Sequence, residues 1–284
     1  MGERLWKIGE RIVDLSRRGM IMGVLNVTPD SFSDGGEHFA ADQAVQHALD
    51  MVADGADVID IGGESTRPRS EPVSAEEELR RVIPVIKELR AKSDVTISID
   101  TSKAAVADES VKAGASVVND VTGGRGDGGM MQFVARHGVG FIVMHMQGNP
   151  RTMQVAPHYN DVVSEVGNFF RQQYTCALEC GVDPMAVAFD PGFGFGKTVE
   201  HNLSLLAHLE RLRIQDRPLV VGVSRKSSLG KMIGSQAMED RLAPTIAFTA
   251  LLRERGANVL RVHDVKENMA ALLATEALLE TGRS

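Results

Sequence analysis

Val95-Thr-Ile-Ser-Ile99 is a short, mostly apolar run that is rich in β-branched residues, and the charged Asp100 follows it directly. Such a composition is typical of a strand that is buried on both faces of a parallel sheet. Seven further runs of this kind occur along the chain. They are Ile21–Val27, Val58–Ile61, Ser116–Val118, Gly140–Met144, Ala186–Phe189, Leu219–Val223 and Asn258–Val262. The sequence therefore predicts eight buried strands.

Longer amphipathic segments separate these runs and predict helices. The segment Ser74–Arg90 opens with Ser74 and has Glu77 three residues later, which is a capping-box pattern. Other helical patterns cover Ala41–Asp54, Asp161–Glu179, Ala243–Glu254 and Lys266–Glu280. Glycine favours the left-handed backbone that stops a helix, so helices are expected to end at Gly55, Gly114, Gly138, Gly181 and Gly256.

The alternation of strands and helices predicts a barrel. Eight strands in 284 residues give about 35 residues for each unit, which is the rhythm of a (β/α)8 fold. A doubly wound open sheet also alternates, but it usually has a Gly-rich phosphate turn after its first strand. Here the segment Asn26–Gly36 follows that strand and is no such turn. We expect an α/β protein with a (β/α)8 TIM barrel, as a single domain over residues 1–284 with a core over about 20–281.

Composition narrows the classes of partner. The formal net charge is −7, which argues against nucleic acid and against an anionic membrane surface as partners. The segment Met1–Glu10 is too charged for a signal peptide, and no run approaches the roughly 18 apolar residues of a membrane-spanning helix. Cys176 and Cys180 are interpreted as two helix residues in a reducing compartment. The expected location is therefore cytoplasmic.

Polar residues end every predicted strand. They are Asn26, Asp60, Asp100, Asn119 with Asp120, His145, Asp190, Ser224-Arg225-Lys226, and Arg261 with His263. In a barrel of this kind the carboxyl ends of the strands gather on one rim, where active sites lie. We therefore expect these side chains to form an active site.

The charges of the rim suggest the chemistry of its ligand. Basic residues at or just beyond the strand ends suit a phosphate group; they are Arg67, Arg69, Arg225, Lys226, Arg261 and His263. The acidic and amide side chains suit a ring with several N–H and C=O groups, because a carboxylate can accept two parallel N–H bonds. These side chains are Asp60, Asp100, Asn119 and Asp190. A phosphorylated, nitrogen-rich heterocycle is the expected ligand.

One motif resembles a nucleotide-binding loop but fails its spacing. The string Gly192-Phe-Gly-Phe-Gly-Lys197-Thr198 ends like a P-loop, yet Pro191 stands where the first glycine of that motif belongs. We therefore do not expect Lys197 to bind a nucleotide phosphate.

Five strings resemble the dihydropteroate synthase family of bacterial folate synthesis. They are Asn26-Val-Thr-Pro-Asp-Ser-Phe-Ser-Asp-Gly-Gly36, Gly62-Gly-Glu-Ser-Thr-Arg-Pro68, Asp190-Pro-Gly-Phe-Gly-Phe-Gly-Lys197, Ser224-Arg-Lys-Ser227 and Arg261-Val-His-Asp-Val265. The resemblance runs from about Met20 to the C-terminus, and the motifs keep the order of the family.

The resemblance implies an enzyme, a transferase. It would condense 6-hydroxymethyl-7,8-dihydropterin pyrophosphate with p-aminobenzoate to give 7,8-dihydropteroate and pyrophosphate, and sulfonamides would target it. It implies Mg²⁺ as cofactor, small-molecule substrates and a homodimer. Pyrophosphate would leave the pterin methylene carbon with help from Mg²⁺, Arg261 and His263, and the neutral aniline nitrogen would attack without a strong base.

The resemblance also implies roles for individual positions. The pterin would be held by Asp100, Asn119, Met144, Asp190, Lys226 and Arg261. The pyrophosphate would be held by Asn26, Thr66, Arg67, Arg261 and His263. The p-aminobenzoate pocket would be formed by Phe32, Ser65, Thr66, Arg67, Pro68, Phe195, Lys226 and Ser227. Asn26 would bind Mg²⁺, and the residues expected to act in catalysis are Asp100, Lys226, Arg261 and His263.

Some questions stay open at this point. Asp60, Asp120 and His145 receive no firm role, and Arg69 stands where the family usually has glycine after Pro68. The conformation of that loop and the sensitivity to sulfonamides are therefore open. Two alternative functions also remain: a pterin-binding methyltransferase domain of the corrinoid type, and a pterin-binding paralogue without catalysis.

Overall fold

The computed structural model describes residues 3–28, 36–65, 70–149 and 152–282, without the side chains of residues 36–40. The strands are β1 Leu5–Ile8, β2 Arg11–Asp14, β3 Met20–Asn26, β4 Val58–Gly62, β5 Thr96–Asp100, β6 Val117–Asp120, β7 Gly140–Met144, β8 Val187–Asp190, β9 Val220–Val221 and β10 Val259–Val262. The helices are α1 Gly36–Ala53, α2 Ala75–Lys92, α3 Ala104–Ala113, α4 Met130–His137, α5 Val162–Glu179, α6 Val199–Ala207, α7 Ser227–Ile233, α8 Leu242–Glu254 and α9 Val265–Thr281.

The strands from β3 to β10 form one parallel sheet that closes on itself. Their order is β8-β7-β6-β5-β4-β3-β10-β9, and a parallel bridge between Phe189 and Leu219 joins the two ends. The predicted (β/α)8 barrel is confirmed. All eight predicted strands are present, with ends that differ from the prediction by no more than two residues.

Alternate residues of the barrel strands point into its interior, because successive side chains of a strand face opposite sides. Four strands follow the same rule along the axis: an apolar residue is succeeded two positions later by a polar one. The pairs are Val58 and Asp60, Val117 and Asn119, Ala188 and Asp190, and Val259 and Arg261. The apolar members belong to one buried cluster, whereas the polar members lie one layer nearer the rim.

A hairpin of β1 and β2 that the sequence analysis did not predict covers the amino end of the barrel. Trp6, Ile8 and Leu15 are buried against the inward apolar residues of the barrel strands. The Trp6 indole Nε1 donates to the carbonyl of Ala186 at 2.9 Å. The core therefore includes residues before the expected start at about residue 20.

The five predicted helices correspond to α1, α2, α5, α8 and α9. Ser74 caps α2 by accepting from the Glu77 N–H, as its motif predicts. All five glycines that were expected to stop helices have a positive φ, from 62° at Gly138 to 125° at Gly114. No bounds were predicted for the four helices α3, α4, α6 and α7, which are ten residues long or shorter. Within the described ranges, no helix combines the length and the apolar character needed to cross a membrane.

Candidate active site

The pairing register brings the carboxyl ends of four neighbouring strands to one level. Asn26 on β3 pairs with Gly62 on β4, Gly62 pairs with Asp100 on β5, and Asp100 pairs with Asn119 on β6. Gly62 has no side chain, and a Cβ built there would lie 3.5 Å from Asp100 Cβ and 3.9 Å from Asn26 Oδ1. Because this residue is glycine, strand β4 places no side chain between Asn26 and Asp100.

Arg261 crosses the barrel to reach two carboxylates. Its Nε donates to Asp60 Oδ2 at 2.6 Å, and its Nη2 donates to Asp100 Oδ2 at 2.8 Å. Asp60 Oδ2 also accepts from Asn119 Nδ2 at 3.0 Å. Asp60, which had no firm role, is thus the common acceptor that joins a predicted pyrophosphate residue to a predicted pterin residue.

Burial shifts the proton affinities of this network. It raises the pKa of Asp100 to about 7, against the opposing effect of Arg261, and the nearby Asp60 raises it further. Burial alone would lower the pKa of Arg261, but Asp60 and Asp100 raise it above its usual value. The guanidinium therefore stays charged, while Asp100 can exchange a proton near neutral pH.

Asp190 and Lys226 form the opposite side of the rim. Burial raises the pKa of Asp190, and burial lowers the pKa of Lys226 to about 8 although Asp190 acts against that shift. Asp190 Oδ1 accepts from the Gly192 N–H at 2.7 Å. Lys226 Nζ donates to the carbonyl of Phe193 and lies 4.7 Å from the centre of the Phe195 ring. Three of the expected ligand-binding side chains therefore meet at the loop after β8.

His263 follows β10 and contacts Ser224, which lies in the segment after β9. Its Nδ1 lies 3.0 Å from Ser224 Oγ, and its backbone N–H donates to the same oxygen at 3.1 Å. Burial lowers the pKa of His263 to about 4, and Arg261 contributes in the same direction. The ring is therefore neutral near pH 7. Arg225, which was counted among the basic rim residues, instead donates from Nε to Asp264 Oδ2 at 2.9 Å.

Apolar residues line part of the rim. Met144 is buried in a small cluster with Val121, Met146 and Met153, and Phe195 packs against this cluster. Ser65 is half-buried, and Ser227 begins α7 immediately after Lys226. Four further residues of the predicted site, Phe32, Thr66, Arg67 and Pro68, lie outside the described residues, as does Arg69.

The other two unassigned rim residues have structural partners. Asp120 accepts from the N–H groups of Thr122 and Gly124, at 2.7 and 2.9 Å, and so stabilises the turn after β6. His145 contacts Lys197, a buried residue that had been considered only as part of a P-loop-like string. In the sequence, Asp120 and His145 stand out only because each ends a predicted strand. Their hydrogen-bond partners become visible only in the folded structure.

The described residues contain no group of three or more His, Cys, Asp or Glu side chains arranged to hold a metal ion. Asn26 stands at the end of β3, half-buried, with its carboxamide oxygen beside Gly62. A single neutral oxygen is a hard ligand that suits Mg²⁺ when water and phosphate oxygens supply the rest of the coordination shell. The donor set therefore fits an ion that is bound mostly through a phosphorylated ligand.

Comparisons with known proteins agree on one family. A family model described as "Pterin binding enzyme" matches residues 22–263. The dihydropteroate synthase of Escherichia coli K12 is 47% identical over 259 residues, which cover 91% of each protein. A structure of Xanthomonas albilineans dihydropteroate synthase with 4-aminobenzoic acid superposes with a TM-score of 0.91 at 44% identity, covering 98% of this chain and 99% of that one. A structure of the same bacterial enzyme in complex with 7,8-dihydropteroate superposes with a TM-score of 0.87 at 43% identity. It covers 97% of this chain and 98% of that one.

Proposed function

The chain belongs to the dihydropteroate synthase family of pterin-binding enzymes, and from this membership we propose how its rim residues carry out the reaction. The enzyme is a transferase that condenses 6-hydroxymethyl-7,8-dihydropterin pyrophosphate with p-aminobenzoate. The products are 7,8-dihydropteroate and pyrophosphate. The observation that carries the proposed roles is the buried network in which Arg261 bridges Asp60 and Asp100 beside Asn119.

The pterin ring binds to the acidic and amide side chains. Asp190 accepts the 2-amino and N3 N–H groups, while Asp100 and Asn119 contact the far edge of the ring and Lys226 donates to ring acceptors. Buried hydrogen bonds to a charged partner contribute roughly 1.5–3 kcal/mol each. Asn119 Oδ1 and Asp60 Oδ1 are buried without a hydrogen-bond partner among the described residues, which supports a ligand rich in N–H groups at this place. Met144 supplies an apolar contact to the ring.

The pyrophosphate binds at Arg261, His263 and Asn26. Arg261 is charged and already oriented by two carboxylates, so little reorganisation is needed when the leaving group develops negative charge. His263 uses Nδ1 toward Ser224, which leaves Nε2 as the ring nitrogen for the pyrophosphate. A neighbouring anion would favour the protonated form of a ring whose pKa burial lowers to about 4. Thr66 and Arg67 remain predicted contributors to this part of the site.

Mg²⁺ is the proposed cofactor, with Asn26 as its ligand from the protein. When bound, the ion would neutralise charge on the pyrophosphate. The space beside Asn26 Oδ1, which a side chain at position 62 would fill, supports this placement.

The p-aminobenzoate binds between the Phe195 ring, Lys226, Ser65 and Ser227, and Phe32, Thr66, Arg67 and Pro68 remain predicted members of the pocket. Its neutral amine attacks the pterin methylene carbon. The C–O bond to pyrophosphate breaks with both electrons on the leaving oxygen, and the new C–N bond forms as the amine nitrogen loses one proton to water. An arylamine is nucleophilic when neutral, so positioning and stabilisation of the leaving group supply most of the catalysis.

A homodimer is proposed from the exposed apolar residues. Within the described residues, most of the exposed large apolar side chains lie on or near α6 to α9: Leu203, Ile233, Met238, Leu251, Leu273 and Leu278. Exposed apolar surface of this kind marks protein interfaces. Leu251→Lys is expected to give monomers in light scattering, whereas Leu178→Lys on α5, with 39% exposure against 43% for Leu251, is the matched control. Unchanged dimers in both variants would contradict the placement.

A cytoplasmic location is also proposed, because Cys176 and Cys180 are both free thiols.

Release of pyrophosphate tests the function. The pterin substrate is incubated with the protein, with and without p-aminobenzoate, and both pyrophosphate and 7,8-dihydropteroate are measured. Release that depends on p-aminobenzoate, and that a sulfonamide inhibits, is the expected result. Pterin binding without release would favour a non-catalytic paralogue. Binding of methyltetrahydrofolate without release would favour a methyltransferase domain.

A further inference from the structure

Lys197 is a lysine with only 3% of its surface exposed, at the end of the loop 192–196 that follows β8. Its Nζ lies 3.0 Å from the carbonyl oxygen of Gly192 and 2.9 Å from that of Phe195, both within its own loop. It also lies 3.0 Å from Nδ1 of His145 and 3.2 Å from the carbonyl oxygen of His145. Burial lowers the pKa of Lys197 well below its usual value. The group has three N–H donors as an ammonium and two as an amine, and the four acceptors use them all in either form, so none remains for a ligand phosphate.

The His145 imidazole, which contacts Lys197, can accept a hydrogen bond from it. Burial lowers the pKa of His145 to about 2, and Lys197 contributes to that shift, so the imidazole is neutral. Nδ1 then accepts from Lys197, and the ring proton resides on Nε2. Lys197 therefore connects the loop after β8 to the end of β7.

The backbone of the loop lies directly against the chain that follows β7. Gly192 and Gly196 have φ angles of 65° and 64°. A Cβ at Gly192 would lie 2.0 Å from the carbonyl oxygen of His145, and a Cβ at Gly196 would lie 2.6 Å from that of Gln147. Only glycine permits this approach. Lys197 thus donates hydrogen bonds to the carbonyl groups that the tight loop turns inward.

The same loop carries two contacts of Lys226. The Phe193 carbonyl accepts from Lys226, and the Phe195 ring lies 4.7 Å from the Lys226 ammonium. Lys197 binds the carbonyl of Phe195 itself. A displacement of this loop would therefore move the aromatic ring and the ammonium group together, whereas Asp100 and Asn119 are held by strands β5 and β6.

We propose that Lys197 is a positioning residue that sets the places of the Phe195 ring and the Lys226 ammonium, and thereby the affinity for p-aminobenzoate. This inference rests on the proposed function, because both groups are assigned to the p-aminobenzoate pocket there. Lys197 contacts no substrate. It acts by fixing the loop against the end of β7, and a misplacement on the order of 1 Å can reduce activity about a hundredfold.

Lys197→Met tests the proposal, because methionine keeps an unbranched apolar side chain and removes every donor. Steady-state kinetics are measured for both substrates, together with the thermal unfolding midpoint. The KM for p-aminobenzoate is expected to rise about tenfold or more. The KM for the pterin substrate is expected to rise less than about threefold, because Lys226 is only one of its proposed contacts and strand residues hold most of the ring. Lys112→Met is the control, since Lys112 is an exposed lysine on α3 with 56% of its side chain accessible.

Two other outcomes with Lys197→Met overturn the inference. A lower unfolding midpoint with both KM values unchanged would make Lys197 purely structural, and an equal rise of both values would contradict the selective role. If the methionine variant does not fold, Tyr159→Phe decides, because Tyr159 Oη donates to the Gly196 carbonyl of the same loop at 2.9 Å. An unchanged p-aminobenzoate KM in that variant would contradict the proposal, and a rise would support it. An inactive wild-type protein would instead overturn the proposed function, and this inference with it.

Discussion

The two ends of the barrel use the same strands for different purposes. At the amino end, Val58, Val117 and Val259 form an apolar cluster that the hairpin of β1 and β2 covers. Two residues farther along the same strands, the interior holds Asp60, Asn119 and Arg261. In barrels of this kind the amino-end face serves stability and the carboxyl-end face serves function.

The difference lies in how completely each end satisfies its polar groups. At the amino end, the buried Trp6 N–H has a carbonyl partner. At the carboxyl end, Asp60 Oδ1 and Asn119 Oδ1 are buried and without a partner within the described residues. Buried polar atoms without partners are unfavourable for folding, and a bound ligand can supply the missing partners. Substitutions at the two ends should therefore change different properties.

Among these predictions, Asp190→Asn at the rim is expected to reduce catalysis the most. Two charge-assisted bonds to the pterin are weakened, each worth roughly 1.5–3 kcal/mol, so kcat/KM for the pterin substrate should fall about a thousandfold. The asparagine can still accept from the Gly192 N–H, so the fold is retained. The thermal unfolding midpoint should stay equal or rise, because a buried charge is removed. A kcat/KM within tenfold of the wild-type value would contradict the role of Asp190.

Trp6→Ala at the other end should show the opposite pattern. Trp6 is fully buried, and such a truncation destabilises a protein by roughly 3–5 kcal/mol. Denaturant unfolding measures the loss, and both KM values should be unchanged where the variant is folded. Ile12→Ala on the same hairpin is the matched control, since Ile12 is 54% exposed and should change stability by less than about 0.5 kcal/mol. A selective rise in either KM would break the separation of the two ends.

Asp60→Asn tests the residue that connects the pyrophosphate and pterin parts of the rim. Asparagine keeps one oxygen that can accept from both residues, but it removes the negative charge that pairs with Arg261, so kcat should fall about tenfold with a smaller change in KM. Asp57→Asn is the matched control at the amino end of the same strand, where Asp57 accepts from the Ile21 N–H at 2.9 Å. Equal kinetics for both variants would exclude Asp60 as an orienting residue.

A further expected effect concerns the pH dependence of stability. Burial raises the pKa of Asp100 to about 7, so between about pH 4 and pH 7 the folded protein holds a proton that the unfolded chain releases. The stability contribution of Asp100 is therefore present at low pH and is lost as the pH rises through about 7. Asp100→Asn removes it. The difference in free energy of unfolding, wild type minus variant, should decrease from pH 5 to pH 8, and a constant difference would contradict the raised pKa.

The sequence was sufficient to predict the barrel and the composition of the rim. Buried parallel strands are continuous apolar runs, and each run ends at a polar residue such as Asp100 or Asp190. These signals are local, so they are visible without tertiary structure. The hairpin at the amino end was missed because β1 and β2 have four residues each, and β2 is largely exposed, so neither shows a clear period.

Partners of individual rim residues could not be predicted. Asp60 and Arg261 are 201 residues apart and meet because the barrel closes. Lys197 resembled a phosphate-binding lysine, and only the fold shows that it binds the carbonyls of its own loop. The short helix α6 begins with a capping box whose third helical residue is His201 instead of the usual Glu or Gln, so its signal was not recognised.

A crystal structure with bound 6-hydroxymethyl-7,8-dihydropterin pyrophosphate, without p-aminobenzoate, tests the assignment of the rim most directly. The expected result is a pterin ring whose 2-amino and N3 groups donate to Asp190, with Asp100 and Asn119 at its far edge and the pyrophosphate in contact with Arg261 and His263. A pterin bound away from Asp190, or an Arg261 side chain that points away from the pyrophosphate, would contradict it.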